Sequence, residues 1–460
     1  MLTTLLNPTI WLLAATVVAA VVGAARGEDA CRSLNRVIRW ATTAPALAVL
    51  LLLAGGGLGS RLVLGFLSPG AYAEEVLAAR AFLAQRTVYG GDDRAELRKW
   101  TSEAPAPTDP WALPGITPCQ ASAMNSRPQF YTSQGHPPML LLASVPVVRL
   151  VGGRGLYVLL TLASLAGVAL AWIVLARQAG LAARSATALL LGAAIFGWQP
   201  VIAGVRQGDA VVLAGSLVML AWRLARQDVP VWSGLAGGLA ACLTLPALAV
   251  IPALARTRGR AGLVACALVA GAGVSVMAVG GPLVFADFSS TVSASAKTYA
   301  EAIHNYALVG RILLTGTGTG ALVLGSLATL AALATFWRGR SVDIAFGAWM
   351  TLGLLASPIV WSQHLVLALV PLVVLFQHVV SSRSALALAA WALLVLVLSL
   401  PDPAVAHVHD FVALRLPVLS AFSVVSLGLV VLWAWLMAGT ASPLLSDAAA
   451  TRYGVAPAAS

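Results

Sequence analysis

Residues 384–401 read SALALAAWALLVLVLSLP, without a single charge. A membrane core about 30 Å thick needs about 20 apolar residues per helix, so the stretch reads as one spanning helix. Similar runs recur along the chain, near 8–25, 41–66, 138–152, 155–176, 185–204, 208–224, 231–255, 261–284, 313–336, 342–358, 364–381 and 414–438. They are continuous and rich in Leu, Ala and Val. Barrel strands would instead be segments of about 10 residues with alternating polarity. The pattern predicts an all-α polytopic membrane protein with about 11–13 transmembrane helices. Segments 138–152 and 231–255 could also be re-entrant or interfacial.

Composition agrees. Of 460 residues, 59% are hydrophobic and 10% charged, and mean hydropathy is +0.89. A soluble domain carries about 25% charged residues, and a disordered chain needs low hydrophobicity with high charge. The net charge of +11 comes from 28 Lys+Arg against 17 Asp+Glu. Its basic residues sit in short clusters between apolar runs, with no basic stripe interleaved with aromatics, so nucleic acid is set aside. Arg26, Arg32, Arg36 and Arg39, then Arg223 and Arg226, then Arg256, Arg258 and Arg260, then Arg338 and Arg340 are assigned to the cytoplasm. Arg177 and Arg184 fall on the opposite side unless a neighbouring segment does not fully cross. The expected location is the plasma (inner) membrane, multi-pass, with the active site facing the periplasm or exterior. No cleavable signal peptide is evident, because a basic stretch follows the first apolar run. Cys31, Cys119, Cys242 and Cys266 lack metal-type spacing, and Cys242 and Cys266 lie in apolar segments.

Four regions follow: N-terminal transmembrane helices (1–66), an outer loop with a juxtamembrane helix (67–137), a transmembrane core (138–440) and a disordered cytoplasmic tail (441–460). The outer loop opens with an amphipathic stretch, Tyr72 to Gln85, that fits a helix on the membrane surface. A charged patch and a Pro-rich run from Pro105 to Pro118 follow. Loops of this length tend to be functional.

In so apolar a chain, polar residues near membrane depth carry the information, because they are costly there. Arg206, Gln207, Gly208 and Asp209 separate two spans. Asp209 could simply cap the next helix, or the group could line a substrate cavity. Glu301, His304, Asn305, Tyr306 and Arg311 precede another span. They form a hydrated turn, or an Arg/His grip on a phosphate, which suits the planar guanidinium fork. Ser357, Pro358, Trp361 and His364 form a third group, where Pro breaks the helix and opens backbone groups. His136 with Pro137 and Pro138 closes the large loop. Two prolines can merely start a helix, or His136 can face the cavity.

These landmarks, in this order, resemble glycosyltransferase family 87, polyprenyl-phosphate-dependent enzymes of the membrane-embedded GT-C superfamily. The resemblance runs from about residue 70 to 380. It rests on Ala78–Leu83 leading to Val88-Tyr89, His136-Pro137-Pro138, Arg206-Gln207-Gly208-Asp209, Ser233–Gly238 leading to Pro246, Asn305 to Arg311, and Ser357-Pro358 with Trp361 and His364. It implies a GT-C-type fold with a large outer-face loop carrying juxtamembrane helices. It also implies transfer of arabinofuranose or mannose from a polyprenyl phosphate to an envelope glycan or glycolipid. Two departures stand out. The family's catalytic Asp falls on Ala71, and the Lys of its Lys-x-x-Pro element falls on Leu243.

The candidate base is therefore one of the neighbouring carboxylates, Glu74, Glu75, Asp92 or Asp93. A positioned carboxylate takes the acceptor's proton, and one carboxylate in a single displacement predicts inversion. The donor-phosphate and substrate-binding candidates are His136, Arg206, Gln207, Asp209, His304, Asn305, Arg311, Trp361 and His364. Positive groups stabilise the charge developing on the leaving phosphate. No cofactor is required beyond the lipid-linked donor. A divalent ion could screen the phosphate, but no carboxylate cluster calls for one. Expected partners are the donor, the acceptor and membrane lipids. Two alternatives are a pseudoenzyme or assembly partner, which the missing Asp favours, and a lipid-linked substrate transporter or flippase. Transporters often show two similar halves, and no internal repeat is visible.

Overall fold

The computed structural model describes residues 7–67, 72–84, 88–89, 136–182, 184–298, 305–308, 319–339, 341–415 and 423–439. The Pro-rich run, Cys119 and the tail lie outside these residues. Among the described residues there are eighteen α-helices and no strand, as the continuous apolar runs require.

The first helices are α1 (Pro8–Ala25), α2 (Ala30–Ala41), α3 (Ala44–Leu67) and α4 (Tyr72–Leu83). Asn7 starts α1, its side-chain oxygen accepting the Thr9 N–H at 2.9 Å, which satisfies an orphan donor of the first turn. Asp29 does the same for α2 through the Arg32 N–H at 2.8 Å. A 3₁₀ turn, Pro138–Leu140, leads into α5 (Leu141–Gln178). Then come α6 (Ala186–Phe196), α7 (Gln199–Gln207), α8 (Val211–Arg226), α9 (Pro230–Leu243), α10 (Val250–Thr257), α11 (Gly259–Gly280), α12 (Val284–Thr298) and α13 (Thr319–Arg338). The last are α14 (Val342–Ala356), α15 (Leu369–Ser382), entered through the 3₁₀ segment Ser362–Ala368, α16 (Ala385–Leu398), α17 (Asp402–Arg415) and α18 (Val424–Gly439).

Five helical stretches are long and apolar enough to cross a membrane: Pro8–Ala25, Ala44–Phe66, Pro138–Gln178, Gly259–Gly280 and Ser362–Ser382. The pair α6 and α7, bent by 55°, makes a sixth. Shorter apolar helices complete the bundle, and at 1.5 Å per residue a helix of about 14 spans only about 21 Å. Against the expected 11–13, the described residues hold five or six stretches long enough to cross and five shorter apolar helices. The expected spans 138–152 and 155–176 are two helical stretches within α5 that meet at a break at Gly152, with φ 73, a conformation that costs glycine little. One expected span divides differently. Segment 231–255 breaks at Thr244, which is extended with φ −156. Pro246 disfavours helix just before it and supplies no N–H, so a 3₁₀ turn, Leu245–Ala249, joins α9 to α10.

Arg258 donates to the Ala225 carbonyl at 2.9 Å and pairs with Asp228 at 3.3 Å. Arg226 meets Asp343 at 3.4 Å, and Arg256 donates to the Phe336 carbonyl at 2.9 Å. Helix α8 separates this arginine group, at its last residue, from Asp209, just before its first.

Packing follows membrane rules. Without a hydrophobic drive between helices in lipid, small residues that let backbones approach do the work. A Cβ on Gly234 would lie 2.5 Å from the Ala261 carbonyl, and one on Gly238 would lie 3.1 Å from the Ala265 Cα, so α9 and α11 touch backbone to backbone. The centre is α8, whose Val211, Val212, Ala214, Val218, Met219 and Trp222 are fully buried. Large apolar side chains such as Leu52, Leu150 and Leu263 lie exposed on the outside, as a lipid-facing surface requires. Cys266 is exposed rather than in the core.

Candidate functional site: a buried acid–base cluster

The helix expected on the membrane surface is instead wedged inside. In α4, Tyr72, Val76, Leu77 and Ala79 pack on Val148, Leu156 and Tyr157 of α5, while Ala78 meets Tyr89, Leu141 and Phe288. Its weakly amphipathic sequence is mostly alanine and small apolar residues, so two faces can be covered at once. Glu75 rides on this helix and is 3% exposed. Its Oε1 has no hydrogen-bond partner among the described residues. Burial raises its carboxyl from the ordinary 4.5 to about 6, against the pull of His136 and with Asp209 adding to the rise. Burial and the nearby Glu75 charge in turn raise the Tyr89 hydroxyl. A buried carboxyl facing a second carboxylate is a costly arrangement, of the kind that clusters at functional sites.

Asp209 stands where α7 ends and α8 begins. The turn needs Gly208, which has φ 62 and lies against Tyr157 and Tyr72. Asp209 Oδ1 accepts the Val211 N–H at 2.8 Å, and Oδ2 accepts the Gln363 amide at 3.2 Å. Capping and a place in the cluster thus coexist in one side chain. His136 Nε2 lies 3.3 Å from Asp209 Oδ1, and its Nδ1 lies 3.0 Å from the Leu243 carbonyl. A carbonyl can only accept, so Nδ1 carries a proton. His136 thus ties Asp209 to the Leu243 carbonyl, with Glu75 within electrostatic reach.

His364 has the opposite character. Its Nδ1 accepts the Trp361 N–H at 3.1 Å, which fixes the neutral tautomer with the proton on Nε2. That Nε2–H has no partner among the described residues, so it is a donor held ready. The broken helix carrying His364 is anchored by Asn305. The Asn305 side-chain oxygen accepts the Val360 N–H at 2.9 Å and the Ala307 N–H at 3.1 Å. The Tyr306 N–H donates to the Val360 carbonyl at 2.7 Å, and the Tyr306 hydroxyl donates to Asp402 at 2.9 Å. Asn305 therefore positions the strand-like 357–361 turn. Trp361 is half-buried at the start of that 3₁₀ segment, and Arg206 and Gln207 are half-buried at the end of α7.

The four polar groups read from the sequence meet at this end of the bundle: Glu75, His136, Asp209 and His364 with Gln363 at the centre, and Asn305 behind. Asp92, Asp93, His304 and Arg311 lie outside the described residues, and so does the side chain of Glu74. Gln363, Tyr89 and Asp402 are additions. A glutamine beside a histidine in an apolar chain is the signal that could have pointed to the first. Among the described residues no group of three His, Cys, Asp or Glu side chains is arranged to hold a metal ion.

Fold and site define a polytopic helical membrane protein with a buried acid–base cluster at one end. The sequence profile of glycosyltransferase family 87 matches residues 135–358, just under half of the chain, so this segment is similar to the family that the motifs resemble. The match takes in His136, Arg206, Asp209 and Asn305 and stops short of Trp361 and His364. Glu75 precedes it. Comparison with curated proteins gave no match, and comparison with solved structures gave none.

Proposed function

We propose that the protein moves a sugar, arabinofuranose or mannose, from a polyprenyl phosphate to an envelope glycan or glycolipid, with Glu75 as the general base. The observation that carries this reading is the Glu75 carboxyl, buried, unpaired at one oxygen and set beside His136 and Asp209. The acceptor hydroxyl attacks the anomeric carbon. Glu75 takes its proton, the bond between that carbon and the phosphate oxygen breaks, and the lipid phosphate leaves with the electron pair. One displacement inverts the anomeric centre. The His136 ring holds Asp209 and, when protonated, tempers the charge on Glu75. The His364 Nε2–H is a preorganised donor for the leaving phosphate, the type of group that stabilises charge as it develops.

Position supports Glu75 over the other carboxylates. Ala71 stands where the resembled family has its catalytic Asp, and Glu75 follows four residues later. Glu75 lies in the first turn of α4, close in sequence to that position. The basic end of the bundle reads as cytoplasmic under the positive-inside rule, which supports an outer-face position for the cluster. The competing reading is a pseudoenzyme, which Ala71 favours. Transfer from polyprenyl-phosphate arabinose or polyprenyl-phosphate mannose by purified protein separates the two. A product of retained configuration would exclude the single displacement.

A further inference from the structure

Arg61 breaks an otherwise apolar run in α3, six residues short of the helix end, about 9 Å at 1.5 Å per residue. Such a residue is expensive in a spanning helix and calls for a reason. Its surroundings supply one. The Tyr157 hydroxyl lies 3.1 Å from the Leu62 carbonyl and 3.4 Å from the Val205 carbonyl, which ties α3 to α7 beside Arg61 and Arg206. Gly65 closes the joint, because a Cβ there would overlap the Arg206 carbonyl and the Tyr157 hydroxyl. Both arginines are half-buried. The close contact of Gly65 with the Arg206 carbonyl sets the two arginines on adjoining helices, Arg61 one turn from the joint. Neither makes a hydrogen bond or ion pair with another described residue. Asp402 lies within electrostatic reach of Arg206, but one of its oxygens is taken by Tyr306. A third arginine, Arg154, sits over the Phe66 ring at 5.6 Å, next to Tyr157. Arg206 is three residues from Asp209, so the pair adjoins the acid–base cluster.

We propose that Arg61 and Arg206 form the two-sided seat of a lipid phosphate, with Arg61 supplied by a helix that lies outside both the family match and the region of resemblance. Two like charges held together unpaired are relieved by an anion between them, and guanidinium forks suit phosphate oxygens. This deepens the proposed function and rests on it for the identity of the lipid. In the transfer a phosphodiester with one negative charge becomes a phosphomonoester that can carry two. Two arginines therefore grip the departing polyprenyl phosphate more strongly than the intact donor, and the released lipid is expected to inhibit.

The test is binding to the full-length protein in nanodiscs. The probes are decaprenyl monophosphate, decaprenol with the same tail and no phosphate, and phosphatidylglycerol as an ordinary phosphate-bearing lipid. The expected result is that Arg61→Gln and Arg206→Gln each weaken decaprenyl monophosphate by about tenfold or more, as loss of a charge-assisted contact should. Decaprenol should be unaffected, and Arg61→Lys should recover part of the loss. Unchanged binding in a folded Arg61→Gln protein overturns the proposal. Equal, equally arginine-dependent binding of phosphatidylglycerol also overturns it, in favour of a general headgroup site. Binding needs no turnover, so its loss is read apart from any loss of transfer. Intact binding without transfer by the wild type would count against the proposed function alone.

Discussion

Replacing Glu75 by glutamine should abolish transfer and stabilise the protein. The side chain keeps its shape and loses its charge. The rise of its carboxyl from 4.5 to about 6 corresponds to about 2 kcal/mol, at about 1.4 kcal/mol per pH unit. Because the folded value lies above the unfolded one, the folded state binds more protons between the two. Stability therefore falls as pH rises through that window, and the whole cost is present above about 6. Glu75→Gln removes it, so the variant should gain up to about 2 kcal/mol at a pH of about 7.5 and nothing at about 4. Transfer should fall by about 10²–10⁴-fold, the usual share of a general base. Thermal unfolding in detergent, followed by fluorescence of the 14 tryptophans, reads the first effect, and radiolabelled sugar transfer reads the second. A stability change equal at both pH values, or a variant less stable at neutral pH, would refute the buried-charge reasoning.

Other outcomes follow from the same geometry. Activity should rise with pH through a midpoint of about 6, as Glu75 ionises. In His136→Gln that midpoint should move upward by about 1–3 pH units, because an opposite charge that favours the carboxylate is lost. A uniform loss of rate with an unmoved midpoint would make His136 merely structural. Gly208→Val should destabilise by about 2 kcal/mol or more, since a β-branched residue is strained at φ 62 and would strike Tyr157, and unfolding temperature checks it. Asn305→Ala frees the Val360 N–H and should lower the transfer rate through misplacement of His364, with the acid limb of the pH profile unchanged.

The helical membrane class was legible because lipid leaves little choice: long apolar runs must satisfy their backbones internally. Helix division was less so. The break at Gly152 falls where the apolar runs 138–152 and 155–176 divide, but the break at Thr244 lies inside the single run 231–255, where hydropathy does not mark it. The site was legible in outline, since Asp209, His136, Asn305 and His364 are conspicuous against alanine and leucine. Their roles were not. Asn305 is turned into a backbone anchor by the 357–361 turn, a contact across about fifty residues of sequence. Arg61 hides in a helix that reads as a plain span. Which adjacent glutamate is buried depends on how α4 rotates against α5, and its two covered faces erase the amphipathic signal.

The most direct test of the account is sugar transfer by purified protein, offered polyprenyl-phosphate arabinose and polyprenyl-phosphate mannose separately with a lipid-linked glycan acceptor, beside Glu75→Gln and Glu74→Gln. The account predicts transfer from one donor with inversion, lost in Glu75→Gln and kept in Glu74→Gln. Full activity in Glu75→Gln would contradict it, and so would no transfer from either donor by well-folded wild-type protein.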